Sequence, residues 1–319
     1  MPFGVNNSYP IDRLRASGID FLINPLGRKL SEGELGDMIS DYDILIAGTE
    51  SITEQVMKRA KHLKFISRVG VGLDGVDLMA AYRLGIKVSY TPEAPAPAVS
   101  ELTIASIMAL LRSTYIANTQ LHRGEWCRHF GRRITQVRIG LIGVGRIGMR
   151  VLKLLSGLGV TEVLVNDLDA KQIDIPGLKL EWVDKETIFR NADVISLHVP
   201  LTPKTKNIIK REQLLSMKRD ALIINTARGG IINENDLADV LISGHLGGAA
   251  IDVFYNEPYS GPLSKIERCL LTAHMGSMSF DCRSSMEIEA TEEAIRFINN
   301  QSLLGLVPQE EYFMQNQDE

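Results

Sequence analysis

Three polar side chains that could carry acid–base and anion-binding chemistry each follow a run of apolar residues. Arg228 follows the run that ends at Thr226, Glu257 follows 250–254, and His274 follows 270–273. Imidazole titrates near neutral pH, a carboxylate can orient it, and a guanidinium holds carboxylates in a planar fork. Taken singly, each also fits a structural role: a solvated loop cation, a surface carboxylate and a hydrogen-bonded core histidine. Their places at predicted strand ends, where doubly wound sheets bind ligands, make them candidate catalytic residues.

A second candidate site is the glycine triplet Gly143, Gly145 and Gly148, which follows an apolar run and opens a helical pattern. In this spacing, the glycines permit a tight turn, close approach of the backbone to a pyrophosphate, and close packing of helix on strand. A triplet alone is weak evidence, but Asp167 lies 19 residues beyond Gly148, where an acid binds the adenosine ribose hydroxyls. No arginine follows Asp167 to hold a 2′-phosphate, so the motif favours NAD over NADP.

The elements that must position these residues follow an alternating pattern from about residue 137 to 252. Nearly unbroken apolar runs are typical of parallel strands that are buried on both faces. They occupy 137–142, 162–166, 193–197, 221–225 and 248–252, with helical patterns at 146–158, 185–191, 210–217 and 234–243. This alternation predicts a doubly wound α/β sheet.

The first ninety residues repeat this pattern on a smaller scale, with strands predicted at 43–48 and 64–67 and a helix at 52–61. Only Pro2–Val5 precedes a polar stretch, so the first strand is expected to be short. Three prolines within 91–97 stiffen the backbone and predict a hinge. One long helix is predicted over 99–122 and a last one over 284–299. We therefore expect a substrate domain at 1–94 and 284–319, with a dinucleotide-binding domain at 95–283 inserted into it.

Composition excludes several classes of protein. The chain has 319 residues, of which 45% are hydrophobic and 23% charged, with a formal charge of -4. This balance argues against chain-wide attraction to nucleic acid or anionic lipid. Its longest uncharged apolar stretch is about half of the ~20 residues that span a bilayer, and the N-terminus lacks a secretory pattern, so we expect a cytoplasmic protein. The three cysteines and six histidines show no metal-ligand spacing, and we expect no metal site.

Several segments together resemble the D-isomer-specific 2-hydroxyacid dehydrogenases, and in particular the phosphoglycerate dehydrogenases among them. The segments, in the family's order along nearly the whole chain, are 67–77, 140–148, 196–202, 225–232, 249–258 and 272–276. The resemblance implies a Rossmann NAD-binding domain inserted into a smaller, flavodoxin-like substrate domain. It also implies hydride transfer between NAD and a small anionic 2-hydroxy or 2-keto acid.

The resemblance assigns roles to individual residues. His274 would be the general acid and base, Glu257 would orient it and stabilise its protonated form, and Arg228 would hold the substrate carboxylate. Val71 and Gly72 would bind the same carboxylate through backbone amides. The residues expected to contact NAD are Gly143, Gly145, Arg146, Ile147, Gly148, Asp167, His198, Pro200, Thr205, Thr226, Ala227, Asp252 and Gly276. Among these, Asp252 would face the nicotinamide carboxamide, while His198 and Pro200 would line the ring.

Substrate identity stays open at this point. Arg68 stands where phosphoglycerate dehydrogenases carry an arginine for the substrate phosphate, although an ion pair with a neighbouring carboxylate would explain it equally well. The family commonly has asparagine at the position of Tyr90 and another polar residue at that of Pro95. The chain ends near 319, so the C-terminal regulatory domains of longer phosphoglycerate dehydrogenases are not expected.

Two alternative functions and one assembly are also considered. The same fold could serve an NAD(H)-sensing corepressor with little turnover, or a dehydrogenase that acts on formate or phosphite. The apolar residues of 99–122 exceed what one amphipathic face needs, and the resemblance implies a homodimer through the 99–126 region, which includes Trp126.

Overall fold

The computed structural model describes residues 3–170 and 172–315. Its helices are α1 (Tyr9–Ala16), α2 (Glu32–Met38), α3 (Glu54–Arg59), α4 (Leu78–Arg83), α5 (Ala96–Arg112), α6 (Thr114–His122), α7 (Arg146–Gly157), α8 (Lys185–Asn191), α9 (Arg211–Ser216), α10 (Glu234–Ile242), α11 (Phe280–Ile298) and α12 (Gln309–Gln315). Its strands are β1 (Ile44–Ala47), β2 (Phe65–Arg68), β3 (Lys87–Ser89), β4 (Ile139–Ile142), β5 (Glu162–Asn166), β6 (Lys179–Trp182), β7 (Val194–Leu197), β8 (Leu222–Asn225), β9 (Gly248–Ile251) and β10 (Cys269–Leu271).

The chain folds as two compact units. The first comprises the described residues up to Pro95 and from Met278 onward, and the second comprises Ala96–Ser277. Each unit has its own parallel sheet, with three strands in the first and seven in the second. The predicted α/β class with parallel sheets is confirmed.

The sheet of the second unit has the strand order β10-β9-β8-β7-β4-β5-β6, and every neighbouring pair is parallel. All residues of β4, β7, β8 and β9 are buried, because helices cover both faces of these apolar strands. From β4 the chain continues to β5 and β6 on one side, then crosses to β7 on the other. This reversal forms a topological switch point at β4, where doubly wound sheets bind ligands.

Two helices begin where the sequence supplies an N-terminal cap. The side chain of Asp184 accepts a hydrogen bond from the Thr187 amide at the start of α8. Asn233 accepts from the amides of Asn235 and Asp236 at the start of α10. Such caps bond amides that the first turn of a helix leaves without partners, and they fix the residue at which each helix starts.

The single long helix predicted over 99–122 is wrong. The structure has α5 and α6 in its place, separated by Ser113, whose φ of 51° is left-handed. The carbonyl of Leu111 accepts a hydrogen bond from the Arg132 amide, 2.9 Å away, so a distant residue occupies the acceptor that a continuous helix would use.

Among the described residues, no helix combines the length and the apolar character that a membrane crossing requires.

The first unit holds the sheet β1-β2-β3, with α11 packed on β2. The ring of Phe65 stacks on that of Phe297 with centroids 4.7 Å apart, and Ser67 Oγ donates to the Ala290 carbonyl at 2.8 Å. Residues 3–8 form turns and bends rather than the short first strand predicted there, and Pro2 lies outside the described residues. A cavity of about 1150 Å³ lies beside β1, lined in part by residues 19–24 and 41–46.

Candidate active site

The glycine loop joins β4 to α7 at the switch point of the second unit. Gly143 has a φ of 99°, and a Cβ there would lie 2.5 Å from the His198 carbonyl carbon. A Cβ on Gly148 would lie 2.2 Å from the Gly143 carbonyl oxygen. These two glycines are therefore required by the fold itself, because the contacted atoms are backbone and cannot move aside.

Gly145 differs from the other two glycines. It is exposed, it precedes the first residue of α7, and a Cβ there would meet no protein atom within 4 Å. The fold alone does not require a glycine at this position. Open space beside the amides of a helix N-terminus is what a pyrophosphate needs, so the loop fits a dinucleotide. Arg146 and Ile147 form the first helical residues beside that space.

Asp167 follows β5 and reaches the glycine loop. Its Oδ2 accepts from the Val144 amide at 2.6 Å and its Oδ1 from the Leu168 amide at 2.7 Å. The carboxylate is thus held beside the loop that would carry the pyrophosphate. Residues Gly143, Gly145, Gly148 and Asp167 together fit NAD, as their spacing predicts.

His198 follows β7 and is held against the glycine loop. Its amide donates to the Ile142 carbonyl at 2.7 Å, and its Nε2 lies 2.9 Å from Ser196 Oγ. Nδ1 is buried, and no hydrogen-bond partner for it exists in the described part of the chain. Burial lowers the pKa of His198 to about 3, so this imidazole is neutral near pH 7. Thr205, in the turn that follows, donates from Oγ1 to the Pro200 carbonyl at 2.6 Å.

The candidate acid–base pair is formed in the second unit. His274 Nδ1 lies 2.8 Å from Glu257 Oε2, and Glu257 Oε1 accepts from the Phe254 amide at 3.0 Å. Since an ionised carboxylate accepts hydrogen bonds but donates none, the proton of the neutral ring lies on Nδ1. Nε2 is then left as the hydrogen-bond acceptor. No group of residues 3–170 or 172–315 bonds to Nε2. The side chain of His274 is 44% exposed, so Nε2 can reach a substrate.

Hydrogen bonds to Asp252 stabilise the backbone turn that contains His274. His274 has a φ of 48°, which is uncommon for a residue with a side chain. The Asp252 carboxylate accepts from the Thr272 hydroxyl at 2.5 Å and from the amides of Met275 and Gly276, each at 2.9 Å. The carbonyl of Asp252 accepts from the His274 amide at 2.8 Å. Asp252 is 2% exposed. These four bonds fix the turn, and the predicted contact of Asp252 with the nicotinamide stays a prediction.

Arg228 lies on the loop after β8. Asn225 holds this loop, because its Nδ2 donates to the Arg228 carbonyl at 2.8 Å and its Oδ1 accepts from the Ala227 amide at 3.1 Å. Arg228 Nη1 donates to the Ala227 carbonyl at 2.7 Å, and the side chain is half-buried. Thr226 is buried, with its hydroxyl 2.8 Å from that of Thr103 on α5.

The loops of Arg228 and Glu257 touch through backbone atoms. A Cβ on Gly229 would lie 2.0 Å from the carbonyl carbon of Phe254 and 2.5 Å from the Tyr255 nitrogen. Glu234, the first residue of α10, accepts from the Tyr255 amide at 2.7 Å. Sequence reasoning missed Glu234, Thr272 and the Phe254 amide. The sequence shows that α10 begins with an acidic residue. It does not show which loop this end of the helix contacts.

The predicted substrate residues Arg68, Val71 and Gly72 belong to the first unit. Arg68 ends β2, and its Nη1 donates to the Val69 carbonyl at 2.5 Å. In the described residues, the amides of Val71 and Gly72 donate no hydrogen bond to the protein. Two consecutive amides without partners form a suitable binding site for an anion.

Comparisons with known proteins identify relatives of this chain. The model of the D-isomer specific 2-hydroxyacid dehydrogenase NAD binding domain matches residues 104–276. A hydroxypyruvate reductase of Thermotoga maritima is 36% identical over 277 residues, which cover 84% of this chain and 88% of that protein. A D-3-phosphoglycerate dehydrogenase of Synechocystis sp. is 35% identical over 281 residues, covering 87% of this chain and 50% of that protein, so this chain spans about half its length.

Among solved structures, the TT0316 protein of Thermus thermophilus is similar, with a TM-score of 0.87 and 33% identity over 94% of this chain and 96% of that one. The family resemblance and the choice of NAD as cofactor are confirmed. The chain therefore belongs to the D-isomer specific 2-hydroxyacid dehydrogenase family, and it is an NAD-dependent oxidoreductase.

Proposed function

We propose that this enzyme interconverts a small D-2-hydroxy acid and its 2-keto acid, with Arg228, Glu257 and His274 as the catalytic residues. The observation that carries this assignment is the 2.8 Å contact between His274 Nδ1 and Glu257 Oε2, with Glu257 itself anchored on the Phe254 amide. This arrangement leaves Nε2 as the only ring nitrogen available to a substrate. Bound NAD supplies or accepts the hydride.

His274 moves the proton that accompanies the hydride. In the direction of keto-acid reduction, the protonated ring donates from Nε2 to the substrate oxygen; in the reverse direction, neutral Nε2 removes the hydroxyl proton. The Glu257 carboxylate holds Nδ1–H in both states, so the ring keeps its tautomer and orientation. The Asp252 carboxylate accepts hydrogen bonds from the amides of Met275 and Gly276 and so fixes the turn that carries the His274 ring.

Arg228 binds the substrate carboxylate. Its permanently charged fork matches a planar carboxylate, and the bond from Nη1 to the Ala227 carbonyl limits the conformations of the side chain. The open amides of Val71 and Gly72 are proposed to bind an anionic group of the substrate as well.

Replacing His274 tests the proposed acid–base role. We expect His274→Ala to lower kcat for 2-keto acid reduction by at least about 100-fold, within the usual range for a general acid, while NADH affinity stays the same. Loss of NADH absorbance follows turnover, and NADH fluorescence follows binding. His62→Ala, which removes an exposed histidine of the first unit, is the matched control. Turnover retained in His274→Ala removes this residue from the mechanism.

The substrate class is proposed to include acids with a second negative charge, because of Arg68. The half-buried guanidinium stands at the end of β2, three residues before the open amide of Val71. We expect Arg68→Ala to lower kcat/KM for phosphohydroxypyruvate about tenfold or more and to change that for glyoxylate by less than threefold. Equal losses for both acids would show that Arg68 does not recognise the phosphate.

A homodimer through the 99–126 region is proposed from the surface of the second unit. Helix α6 buries none of its residues and exposes Leu121 by 58%. The segment that follows exposes Trp126 by 81%, and Phe130, just beyond the 99–126 region, is fully exposed. Exposed aromatic residues of this kind are typical of the centre of an interface. Light scattering with size exclusion should give twice the chain mass, and Trp126→Ser with Phe130→Ser should shift the mass toward the monomer. A monomeric mass for the unmodified protein contradicts the proposal.

A further inference from the structure

Three residues contact the backbone of the short segment Phe254–Tyr255. Gly229 lies against the Phe254 carbonyl carbon and oxygen, where an added Cβ would come within 2.0 and 2.1 Å. Glu257 Oε1 accepts from the Phe254 amide, and Glu234 Oε1 accepts from the Tyr255 amide. One short backbone segment therefore joins the Arg228 loop, the Glu257 carboxylate and the start of α10.

Gly229 is required here by space alone. The atoms that a side chain would meet are backbone atoms of Phe254 and Tyr255, which cannot rotate away as a flexible side chain can. Since Gly229 follows Arg228 directly, its contact sets how close the guanidinium loop lies to the loop that ends at Glu257. Any residue larger than glycine would push the two loops apart.

Glu234 supports the same backbone segment, and its own position is fixed by helix α10. It is the first residue of α10, whose start is capped by Asn233 and whose inner face is buried at Leu237 and Leu241. Its carboxylate is half-buried, and both this burial and the nearby charge of Glu257 raise its pKa. The acid is thus close enough to Glu257 to interact with it electrostatically, although it contacts neither His274 nor Arg228 directly.

We propose that Gly229 and Glu234 are positioning residues for the reaction, and that together they set the distance between Arg228 and the Glu257–His274 pair through the backbone segment Phe254–Tyr255. This inference rests on the proposed roles of Arg228, Glu257 and His274. A substrate must reach the guanidinium with its carboxylate and His274 Nε2 with its oxygen at the same time. A displacement of about 1 Å in such a geometry can lower the rate about 100-fold.

Three variants test the inference. Gly229→Ala should lower kcat/KM for the 2-keto acid about 100-fold, with a rise in its KM and a fall in kcat, while the KM for NADH stays within twofold of the parent. Glu234→Ala should lower kcat/KM about tenfold in the same way. Glu234→Gln should restore most of that loss, because an amide oxygen can still accept from the Tyr255 amide.

Matched controls separate positioning from general destabilisation. Gly157→Ala adds a methyl group to another glycine of the second unit, which has no atom within 4 Å of the new Cβ. Asp239→Ala removes an exposed acid from the same helix as Glu234. Both controls should keep the parent kcat/KM within twofold. A variant that was only less stable would lose active protein, and hence kcat, without a change in the KM for the keto acid.

The outcomes distinguish this inference from the proposed function. If Glu234→Ala and folded Gly229→Ala both keep parental kcat/KM while His274→Ala loses turnover, the positioning role is wrong and the catalytic roles stand. If His274→Ala keeps turnover, the proposed function itself fails. Should Gly229→Ala not fold, the comparison of Glu234→Ala with Glu234→Gln decides alone. Equal losses in these two variants would also overturn the inference.

Discussion

Substitution of Gly145 by alanine should separate cofactor binding from folding. The φ of Gly145 is -78°, which alanine adopts freely, and no protein atom lies within 4 Å of the added Cβ. Alanine would lower the entropy of the unfolded chain, stabilising by about 0.4–1 kcal/mol, but it is a poorer helix N-cap than glycine by roughly the same amount. The free energy of unfolding should therefore change by less than about 0.5 kcal/mol.

The same methyl group would occupy the space through which a pyrophosphate approaches the loop. Forced overpacking of this kind costs roughly 1–3 kcal/mol, which corresponds to about 5- to 140-fold weaker NADH binding. In Gly148→Ala, by contrast, the Cβ would lie 2.2 Å from the Gly143 carbonyl oxygen inside the protein. A similar overpacking cost there should lower the melting temperature by roughly 2–12 °C.

Two measurements check this pair of variants. Calorimetry gives the melting temperature without cofactor, and titration of NADH fluorescence gives the dissociation constant. We expect a parental melting temperature with weakened NADH binding for Gly145→Ala, and a lowered melting temperature for Gly148→Ala. Parental NADH affinity in Gly145→Ala would refute the placement of the pyrophosphate at this loop. An unchanged melting temperature in Gly148→Ala would refute the packing argument.

Three further predictions concern other parts of the chain. Asp167→Ala should strongly reduce the preference for NAD over NADP in kcat/KM, and a parental preference would contradict the ribose assignment. In the native protein, Cys269 and Cys282 should not react with a thiol reagent, because both are buried and burial raises the pKa of Cys269 to about 12; reaction at either one before unfolding would contradict this. Hydrogen bonds from Arg28 and Ser31 lower the pKa of Glu34 from 4.5 to about 2, so its stabilising contribution is present above pH 4.5 and is lost as the pH falls toward 2. The melting temperature of the parent should exceed that of Glu34→Gln at about pH 6, and a difference that does not shrink by about pH 3.5 would contradict the assignment.

The central strands of the second unit could be predicted because they are buried on both faces and therefore read as unbroken apolar runs. Helix α8 was predicted at its observed bounds, since Asp184 caps its first turn. Strand β10 was predicted from the apolar run 270–273 before His274, whereas the short strands β3 and β6 were missed. These two strands hold three and four residues, and β6, with the sequence Lys-Leu-Glu-Trp, is an edge strand without a clear periodic pattern.

What the sequence could not reveal depends on contacts between distant residues. The break at Ser113 follows from the Arg132 amide bonding to the Leu111 carbonyl, and no local signal near 113 predicts it. The two predicted partners His274 and Glu257 do meet, because β9 and β10 are parallel neighbours that end at the same edge. The support that Asp252 gives to the His274 turn was not visible, since it is made mostly through backbone amides.

The open edge of β1 has a consequence for handling the protein in solution. Within residues 3–170 and 172–315, no strand pairs with the side of β1 that faces away from β2. The strand, Ile-Leu-Ile-Ala, is apolar and uncharged, and its unpaired backbone groups can template a strand from another chain. Precipitation on concentration should therefore start at this edge.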